Sequence, residues 1–446
     1  LLDHGRITGG DGLFHDDGAD RPASAGRELD YRLTADGRAI ATLPVDPRLA
    51  RMIVEAARNG SLREVLPIVA ALSIQDPRER PADALLADCF RHHREMGGRD
   101  RRHVSDLVYG VLRDWRRLQH WVGTTPEALI AAVLSQHPAM TGDDLARYDL
   151  SPPPPPPQGL PWPVLDNLPD TLASDLQALL PETEWRSAAQ ALNEPGPADF
   201  RINPLRGSRD HLMAALRRRG IEVHPTPWAP DGLRLSRRLP HTDPLLADGS
   251  LEPQDEGSQW LVACLPLRAG DTVLDYCAGA GGKSLAMTAR GAQVVATDAD
   301  PHRLRRLPSR ARRAGVAITL ASFPPDTDHR FDGVLVDAPC SGSGTLRRAP
   351  ERRLDTPDLG ALSALQLQVL RDAARHVTPG GWLVYATCSL SPRENETVVQ
   401  AFEDEHPDFH PTPLQRPEGG GAPRLRLWPH RHGTDGFFAA GFRRTP

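Results

Sequence analysis

The sequence predicts an α/β fold in which the C-terminal half forms a doubly wound sheet. Short apolar runs that are typical of buried strands alternate there with patterns that are typical of helices. Because this alternation favours parallel strands with helices on both faces, we expect one layered sheet. The predicted strands are 271–277, 292–298, 332–338 and 381–387, the predicted helices are 283–290, 301–314 and 359–377, and 425–428 with 436–442 are predicted to close the sheet as an antiparallel pair.

Three of the predicted strands end in segments that carry glycine or cysteine. A glycine-rich loop follows the first strand at 277–283, Cys340 follows the third strand, and Cys388 follows the fourth. In an open α/β sheet, ligands bind in the crevice at the carboxyl ends of the strands. We therefore expect the loop and both thiols on one rim of the sheet.

The segments before the sheet differ from it in composition. Residues 1–30 are rich in Gly, Asp and Ala, which is typical of flexible segments, and residues 83–150 carry helical patterns. Six consecutive prolines at 152–157 cannot be helical, so residues 151–160 are predicted to be an extended linker. Residues 161–265 are predicted to contain further helices and then a small α+β unit.

The charge, the apolar runs and the cysteines of the chain limit the classes of protein to which it can belong. The net charge of −5 gives no general attraction to nucleic acid, although local basic patches can still bind phosphates. No apolar run reaches the roughly 18 residues that span a bilayer, and no signal peptide is recognisable, so a cytoplasmic protein without membrane contact is expected. The five cysteines are odd in number and lack C-x-x-C spacing, which argues against a disulfide framework or a metal site.

Arginine is concentrated in the helical pattern over residues 91–121, where it alternates with apolar residues at helical spacing. Two interpretations are open for this segment. It is either an amphipathic helix with a solvated basic face or a surface that contacts the RNA backbone.

Lysine is almost absent from the chain. Of the 53 Lys and Arg residues, only Lys283 is a lysine. A GC-rich genome would explain this composition, because it favours Arg codons over Lys codons. The glycine loop nevertheless keeps a lysine at position 283. This indicates that the loop requires a compact ammonium group where a planar guanidinium would not be tolerated.

The glycine loop and the following strand have the pattern of a nucleoside site. Glycines let the backbone approach a ligand, and the helix N-terminus after them favours negative charge. Asp298 ends the next strand, where a carboxylate can accept both ribose hydroxyls; the alternative is that Asp298 caps the helix before Pro301. Because the loop departs from G-x-G-x-x-G, S-adenosylmethionine is favoured over a dinucleotide.

The cysteines are expected to have different roles. Cys89 and Cys264 are expected to be small buried hydrophobic residues. Cys340 and Cys388 follow strands and have small, polar neighbours. The hydroxyl and amide groups around Cys388, in Thr387 and Ser389, can stabilise a thiolate.

A reactive thiol has a specific use in pyrimidine methylation. C5 of the ring is a poor nucleophile, but a thiolate that adds to C6 creates an enamine-like species whose C5 can attack a sulfonium methyl group. The methylated adduct then loses its C5 proton and expels the thiol. Between them, Asp337, Cys340 and Cys388 can supply a nucleophile, an acidic group near N3 and a group that helps elimination, provided that the base is unstacked.

Several segments resemble the RNA (cytosine-5) methyltransferases of the RsmB/Sun type, over roughly residues 83–446. The resemblance implies a Rossmann-like class I methyltransferase sheet over 266–446, S-adenosylmethionine as the cofactor, and RNA, expected to be ribosomal, as the partner. The segments that carry it are 254–259, 275–284, 337–344, 385–389, 394–396 and 433–438.

The same resemblance implies roles for individual residues. Cys388 is the nucleophile that adds to C6, Cys340 assists product release, and Asp337 lies between cofactor and base. Asp298 holds the cofactor ribose. The loop residues that hold the cofactor are Cys277, Ala278, Gly279, Ala280, Gly281, Gly282 and Lys283.

Two further resemblances concern the N-terminal half. The pattern at 99–113 resembles the NusB-like helical domain of these methyltransferases, which implies an RNA-binding region over 83–150. The runs at 43–52 and 71–81 resemble the segment after the motor domains of HrpA-type DEAH-box RNA helicases, which implies a helicase-derived fragment within 1–82. Neither G-x-x-x-x-G-K-[ST] nor D-E-A-H occurs, so no ATPase activity is expected.

Two other functions are compatible with these residues. The family usually has an acid near the adenine, but residues 320–323 carry none, and Ser322 is the candidate substitute. That absence favours a catalytically weak RNA-binding scaffold. A DNA cytosine methyltransferase would use Cys340, which follows a proline, although the second cysteine, in Thr-Cys-Ser, argues against it. A monomer is expected in each case.

Overall fold

The computed structural model describes the chain in several ranges, namely 14–15, 32–33, 82–92, 94, 97–136, 151–326 and 329–446. Most of the helicase-like segment predicted within 1–82 lies outside them, as do residues 137–150 of the predicted NusB-like region. The chain divides into two compact parts, Leu1–Asn167 and Leu168–Pro446. Within the described ranges, no helix combines the length and the apolar character that a bilayer crossing requires.

The described residues between 82 and 135 of the N-terminal part are mainly helical, as the sequence pattern predicts. Its elements are the antiparallel strands β1 (Phe14–His15) and β2 (Arg32–Leu33) and the helices α1 (Ala82–His92), α2 (Gly98–Arg113), α3 (Trp115–Val122), α4 (Pro126–Ser135) and α5 (Trp162–Leu165). Val111, Leu118, Leu129 and Ala132 form a buried cluster among α2, α3 and α4. The prolines at 152–157 belong to no helix or strand, because proline lacks the amide donor that both require.

The C-terminal part begins with two helices and a small antiparallel sheet. The elements are α6 (Asp170–Leu179), α7 (Glu182–Asn193), β3 (Ala198–Ile202), α8 (Arg209–Arg218), β4 (Val223–Pro225), β5 (Gly232–Leu235), α9 (Pro244–Ala247) and β6 (Leu251–Pro253). The strands pair in the order β4-β5-β3-β6. Apolar residues of α8 pack on one face of this sheet, so the predicted α+β unit has its own core.

The rest of this part contains the eight-stranded main sheet and a separate two-stranded sheet. Its elements are α10 (Glu256–Ala263), β7 (Thr272–Asp275), α11 (Gly282–Ala289), β8 (Gln293–Ala296), α12 (Pro301–Leu304), α13 (Leu307–Ala314), β9 (Thr319–Leu320), β10 (Phe331–Asp337), α14 (Leu359–Ala374), β11 (Val377–Thr387), α15 (Glu396–Glu405), β12 (Phe409–Pro411), β13 (Leu414–Gln415), β14 (Gly421–Ala422), β15 (Arg424–Leu427), α16 (Pro429–His432) and β16 (Phe437–Arg444). All four predicted strands and the closing antiparallel pair are present.

Strand order sets which segments meet at the rim. The order is β9-β8-β7-β10-β11-β16-β12, with β15 paired to β16, while β13 and β14 pair separately. The five strands from β9 to β11 are parallel, and β16 runs antiparallel to β11. The helix predicted over 301–314 is two helices, because Pro308 cannot donate its amide within a continuous helix.

Helices cover both faces of the sheet. Alternate residues of β7 and β10 point to opposite sides, so Val273 and Leu335 pack with α10 and α11. Leu274, Val334 and Val336 pack with α14 and α15 on the other face. The sheet is therefore buried on both faces, which explains the continuous apolar runs in its sequence.

Gly333 lies at a tight contact in this core. A Cβ atom built on Gly333 would overlap the ring of Trp382, which is 2% exposed on the neighbouring strand. We expect Gly333→Ala to lower the free energy of unfolding by about 1–3 kcal/mol through overpacking. Chemical denaturation measures this change.

Gly207→Ala is the matched control, since a Cβ at Gly207 would meet its nearest neighbour, Leu212, at an ordinary 3.9 Å. The free energy of unfolding of this variant should stay within about 1 kcal/mol of the parent. Equal destabilisation by the two variants would contradict the packing account.

Candidate active site

The glycine loop joins β7 to α11 in a conformation that only glycine adopts easily. Gly279 and Gly281 have positive φ values of 54° and 79°, and Gly281 caps α11. A Cβ on Gly281 would also overlap the side chain of Leu307. Both positions therefore require glycine for their positive φ values, and Gly281 also allows α13 to pack closely against the loop.

Asp298 is tied to the loop and does not cap the next helix, although Arg303 Nη1 of that helix lies 3.4 Å from its Oδ2. Its Oδ2 accepts the backbone amide of Gly279 at 2.8 Å, and its Oδ1 accepts that of Asp300 at 2.9 Å. The cap of α12 is Asp300, whose side chain accepts the amide of His302. The capping alternative for Asp298 therefore fails, and its carboxylate lies beside the glycine loop.

Cys277 contributes its backbone to the loop, while its side chain packs against the apolar core. Burial, together with the negative charge of Asp275, raises the pKa of its thiol well above the ordinary value. Cys264 is also buried, and burial raises the pKa of its thiol to about 12. Neither of these two thiols is suited to act as a nucleophile.

Cys340 and Cys388 lie together, as predicted from the strand ends. Their Sγ atoms are 3.4 Å apart. A hydrogen bond from Cys340 lowers the pKa of Cys388; Arg352 and Lys283 lower it too, against the opposing effects of burial and Asp337. The same contact, with burial, raises the pKa of Cys340. One sulfur is thus favoured as thiolate and the other as thiol.

Lys283 extends from α11 to Asp337 at the end of β10. Its Nζ lies 2.6 Å from Asp337 Oδ2 and 5.8 Å from the ring centre of Phe437. Burial lowers the pKa of Lys283, but the charge and hydrogen bond of Asp337 outweigh it, so the pKa is raised overall. A compact ammonium suits this enclosed position, as the single lysine of the sequence indicates.

Asp275 lies beneath the same loop and is 1% exposed. Burial raises its pKa to about 7, although the hydroxyl of Ser284 donates to its Oδ2 at 2.6 Å. This hydrogen bond joins the end of β7 to the first turn of α11. It fixes the loop at both of its ends.

Glu394 connects the two cysteine loops, a role that its sequence position did not reveal. It is fully buried and accepts the backbone amide of Ser341 at 2.8 Å and its hydroxyl at 2.6 Å. It also accepts the hydroxyl of Ser389 and, at 2.9 Å, the side-chain amide of Gln366. A buried carboxylate with four donors is stable there and holds both loops.

The hydroxyl groups beside Cys388 bond to this framework and not to its sulfur. Thr387 Oγ1 donates to Asn395 Oδ1 at 2.6 Å, and the Ser389 hydroxyl donates to Glu394. The expected support of a thiolate by these hydroxyls is therefore not observed. The hydrogen-bonding partner of Cys388 Sγ is the thiol of Cys340.

The segment after β9 offers an aromatic face in place of the missing acid. Phe323 is 41% exposed and contacts Tyr276 edge-on, with ring centres 5.5 Å apart. Ser322 is bound through its backbone, where its carbonyl accepts the hydroxyl of Thr297 at 3.2 Å. The sequence pointed to Ser322 as the substitute for the acid and did not point to Phe323. An exposed aromatic residue beside a polar rim is, however, typical of a ligand-binding surface.

The donor set fits a nucleoside joined to an amino acid better than a nucleotide phosphate. In a phosphate-binding loop the lysine reaches the phosphates, whereas Lys283 is engaged by Asp337. Asp298 at the end of the second strand of the parallel set is the position from which a carboxylate accepts ribose hydroxyls.

Family models match three regions of the chain. The model described as 16S rRNA methyltransferase RsmB/F matches residues 262–443, and the RsmF/B-like ferredoxin-like domain matches residues 168–242. The helicase associated domain (HA2), ratchet-like, matches residues 46–108, which confirms the helicase resemblance and extends past the boundary predicted at residue 82. The NusB-like region stays a prediction.

Curated relatives include the ribosomal RNA small subunit methyltransferase B of Salmonella arizonae, 35% identical over 284 residues. The protein of the same name from Klebsiella pneumoniae subsp. pneumoniae is 36% identical over 284 residues. In both cases the match covers 61% of this chain and 65% of the relative. The chain thus spans 65% of the length of these relatives.

Solved structures have the same fold. PH0851 matches 86% of this chain and 98% of its own, with a TM-score of 0.74 and 24% identity. A methyltransferase homolog from Pyrococcus horikoshii is 30% identical with a TM-score of 0.54, over 63% of this chain and 97% of that one. The predicted Rossmann-like methyltransferase sheet is confirmed, and residues 262–443 match the RsmB/F methyltransferases.

Proposed function

We propose that this protein transfers a methyl group from S-adenosylmethionine to C5 of cytosine in RNA through a covalent adduct between Cys388 and C6. The observation that carries the proposal is the pair of thiols, 3.4 Å apart, at the ends of adjacent parallel strands. Their pKa values are shifted in opposite directions, which suits one nucleophile and one proton-bearing partner.

The residues around the glycine loop fit the cofactor. Asp298 would bind its ribose, Phe323 offers a face for its adenine, and the loop from Cys277 to Lys283 would hold the remainder. When bound, the cofactor supplies a methyl group on a positively charged sulfur. The match of residues 262–443 to the RsmB/F methyltransferases supports this assignment.

The thiolate of Cys388 forms a bond to C6 of the target base in the proposed first step. The electron pair of the C5–C6 double bond shifts into the ring, which gains a proton near N3 and becomes nucleophilic at C5. Asp337, whose Oδ2 lies 2.6 Å from the ammonium nitrogen of Lys283, is the group proposed to supply the proton near N3. The Asp337–Lys283 pair lowers the free energy of the transition state, in which charge develops on the ring.

Release reverses the thiol addition once C5 has taken the methyl group, whose former bonding pair would stay on the cofactor sulfur. A base takes the C5 proton, the pair of that C–H bond re-forms the C5–C6 double bond, and the C6–S bond breaks with its pair returning to Cys388 as thiolate. The ring gives the proton near N3 back to Asp337. Cys340 lies in contact with Cys388, which supports a role for it in this elimination. The roles of the two cysteines are therefore unequal.

The names of the relatives support a proposal for the substrate class. The curated relatives are named as small subunit ribosomal RNA methyltransferases, so ribosomal RNA is the proposed target. The target base must leave its stack to reach the half-buried thiols. The protein is proposed to act as a monomer in the cytoplasm, with its arginine-rich N-terminal helices contributing RNA contacts.

The proposal predicts opposite results for two cysteine variants. Cys388→Ser should reduce methylation of total RNA to below about 0.1% of the parent rate and form no adduct, because the nucleophile is lost. Cys340→Ser should accumulate a covalent protein–RNA complex, because release is blocked. A radioactive methyl assay and a denaturing gel measure the two effects, with Cys264→Ser as the buried-thiol control.

Other outcomes support the alternatives. Activity in Cys388→Ser that is lost in Cys340→Ser would assign the nucleophile to Cys340, as in DNA cytosine methyltransferases. A parent protein that binds RNA but not S-adenosylmethionine would be an RNA-binding scaffold.

Arg352 supplies a second test, since its positive charge lowers the pKa of Cys388. We expect Arg352→Gln to raise that pKa and to slow alkylation of Cys388 by iodoacetamide at pH 7.5 about threefold. Peptide mass spectrometry measures the rate. Arg371→Gln, which removes a guanidinium paired with Glu405, is the control. An unchanged rate in Arg352→Gln would show that this arginine does not support the thiolate.

A further inference from the structure

Two arginines outside the glycine loop bind its carbonyl groups. Arg310 Nη1, in α13, donates to the carbonyl oxygen of Ala280. Arg201 Nη2, in β3 of the α+β unit, donates to the carbonyl oxygen of Gly282 at 3.5 Å. These carbonyls flank Gly281, the residue whose left-handed conformation begins α11. Each bond fixes a peptide plane, because a carbonyl and the following amide lie in one plane.

Glu252, in β6 of the α+β unit, binds Arg310 and lies beside Arg201 of the same unit. Its Oε2 lies 3.0 Å from Arg310 Nη2, and it faces Arg201 across the β3–β6 pair. Glu252 is only 4% exposed and Arg201 6%. Charges buried to this extent are stable only with partners, so the three residues depend on one another.

Arg313 is bound to the same carboxylate but does not reach the loop. Its Nη2 lies 2.6 Å from Glu252 Oε1. The backbone carbonyl of Arg313 accepts a hydrogen bond from Arg206. Arg310 and Arg313 thus share one ion-pair partner, and only Arg310 also holds a loop carbonyl.

We propose that Glu252, Arg310 and Arg201 are positioning residues that hold the glycine loop ready for the cofactor, so that the α+β unit forms part of the cofactor site. The inference rests on the proposed function, since it concerns the same loop. None of the three needs to touch the reacting atoms. They act through the carbonyls of Ala280 and Gly282.

The flexibility of the glycine loop explains why the affinity for the cofactor depends on the two arginine–carbonyl contacts, while the rate of the chemical step does not. Glycine has more backbone freedom than any other residue, so a segment with Gly279, Gly281 and Gly282 samples many conformations unless it is anchored. A binding-competent conformation that is only partly populated weakens the apparent affinity in proportion. Once the cofactor is bound, the loop is ordered and the rate of methyl transfer is the same.

The test compares Arg310→Gln with Arg313→Gln in the full chain. Each variant loses one ion pair to Glu252, and only the first loses a loop contact. Calorimetric titration with S-adenosylhomocysteine should show a Kd about tenfold higher for Arg310→Gln and within about twofold of the parent for Arg313→Gln. At saturating S-adenosylmethionine, kcat of both variants should stay within about twofold of the parent.

Equal Kd values for the parent and Arg310→Gln, or equal losses in both variants, would overturn the proposal. Absence of binding by the parent itself would instead contradict the proposed function. If Arg310→Gln does not fold, Arg310→Lys carries the same comparison, because it keeps the charge beside Glu252 but cannot bridge carboxylate and carbonyl together. Its Kd should also exceed that of Arg313→Gln.

Discussion

The register of two adjacent parallel strands is the constraint on which the site depends. β10 and β11 pair so that Asp337 lies opposite Ala386, and the segments that follow both strands emerge at the same level. This brings Cys340 and Cys388 into contact although they are 48 residues apart. A shift of one residue would reverse the side chains of a whole strand and separate the thiols.

Buried charge stabilises this arrangement because every charge has partners. Glu394 accepts hydrogen bonds from both cysteine loops, and Lys283 joins the glycine loop to the end of β10. Glu252 repeats the pattern on the far side of the glycine loop. Removing every partner from such a group would leave an uncompensated buried charge, which is strongly destabilising. Glu252 keeps one arginine when either Arg310 or Arg313 is replaced.

The sheet and the rim position of the thiols could be predicted from the sequence. Parallel strands buried on both faces leave continuous apolar runs, and the residues after them must meet at one edge. The short strand β9 was not predicted, because its two residues, Thr319 and Leu320, are too few to form an alternating hydrophobic pattern. The division of the helix over 301–314 could have been foreseen from Pro308.

Long-range contacts could not be predicted in the same way. Glu394 lies 53 residues from Ser341, and nothing in its local sequence indicates that it accepts hydrogen bonds from that loop. Thr387 and Ser389 looked like support for a thiolate, yet their hydroxyls bond to Asn395 and Glu394. Only the three-dimensional structure shows which of several local partners a hydroxyl selects.

The central claim is that Cys388 attacks the base, and one measurement tests it most directly. RNA that contains 5-fluorocytidine cannot lose a C5 proton after methyl transfer, so the adduct persists. Incubation with S-adenosylmethionine, digestion with trypsin and mass spectrometry should locate the nucleotide on the peptide of residues 376–393, which contains Cys388. Attachment to the peptide of residues 331–347, which contains Cys340, would contradict the account.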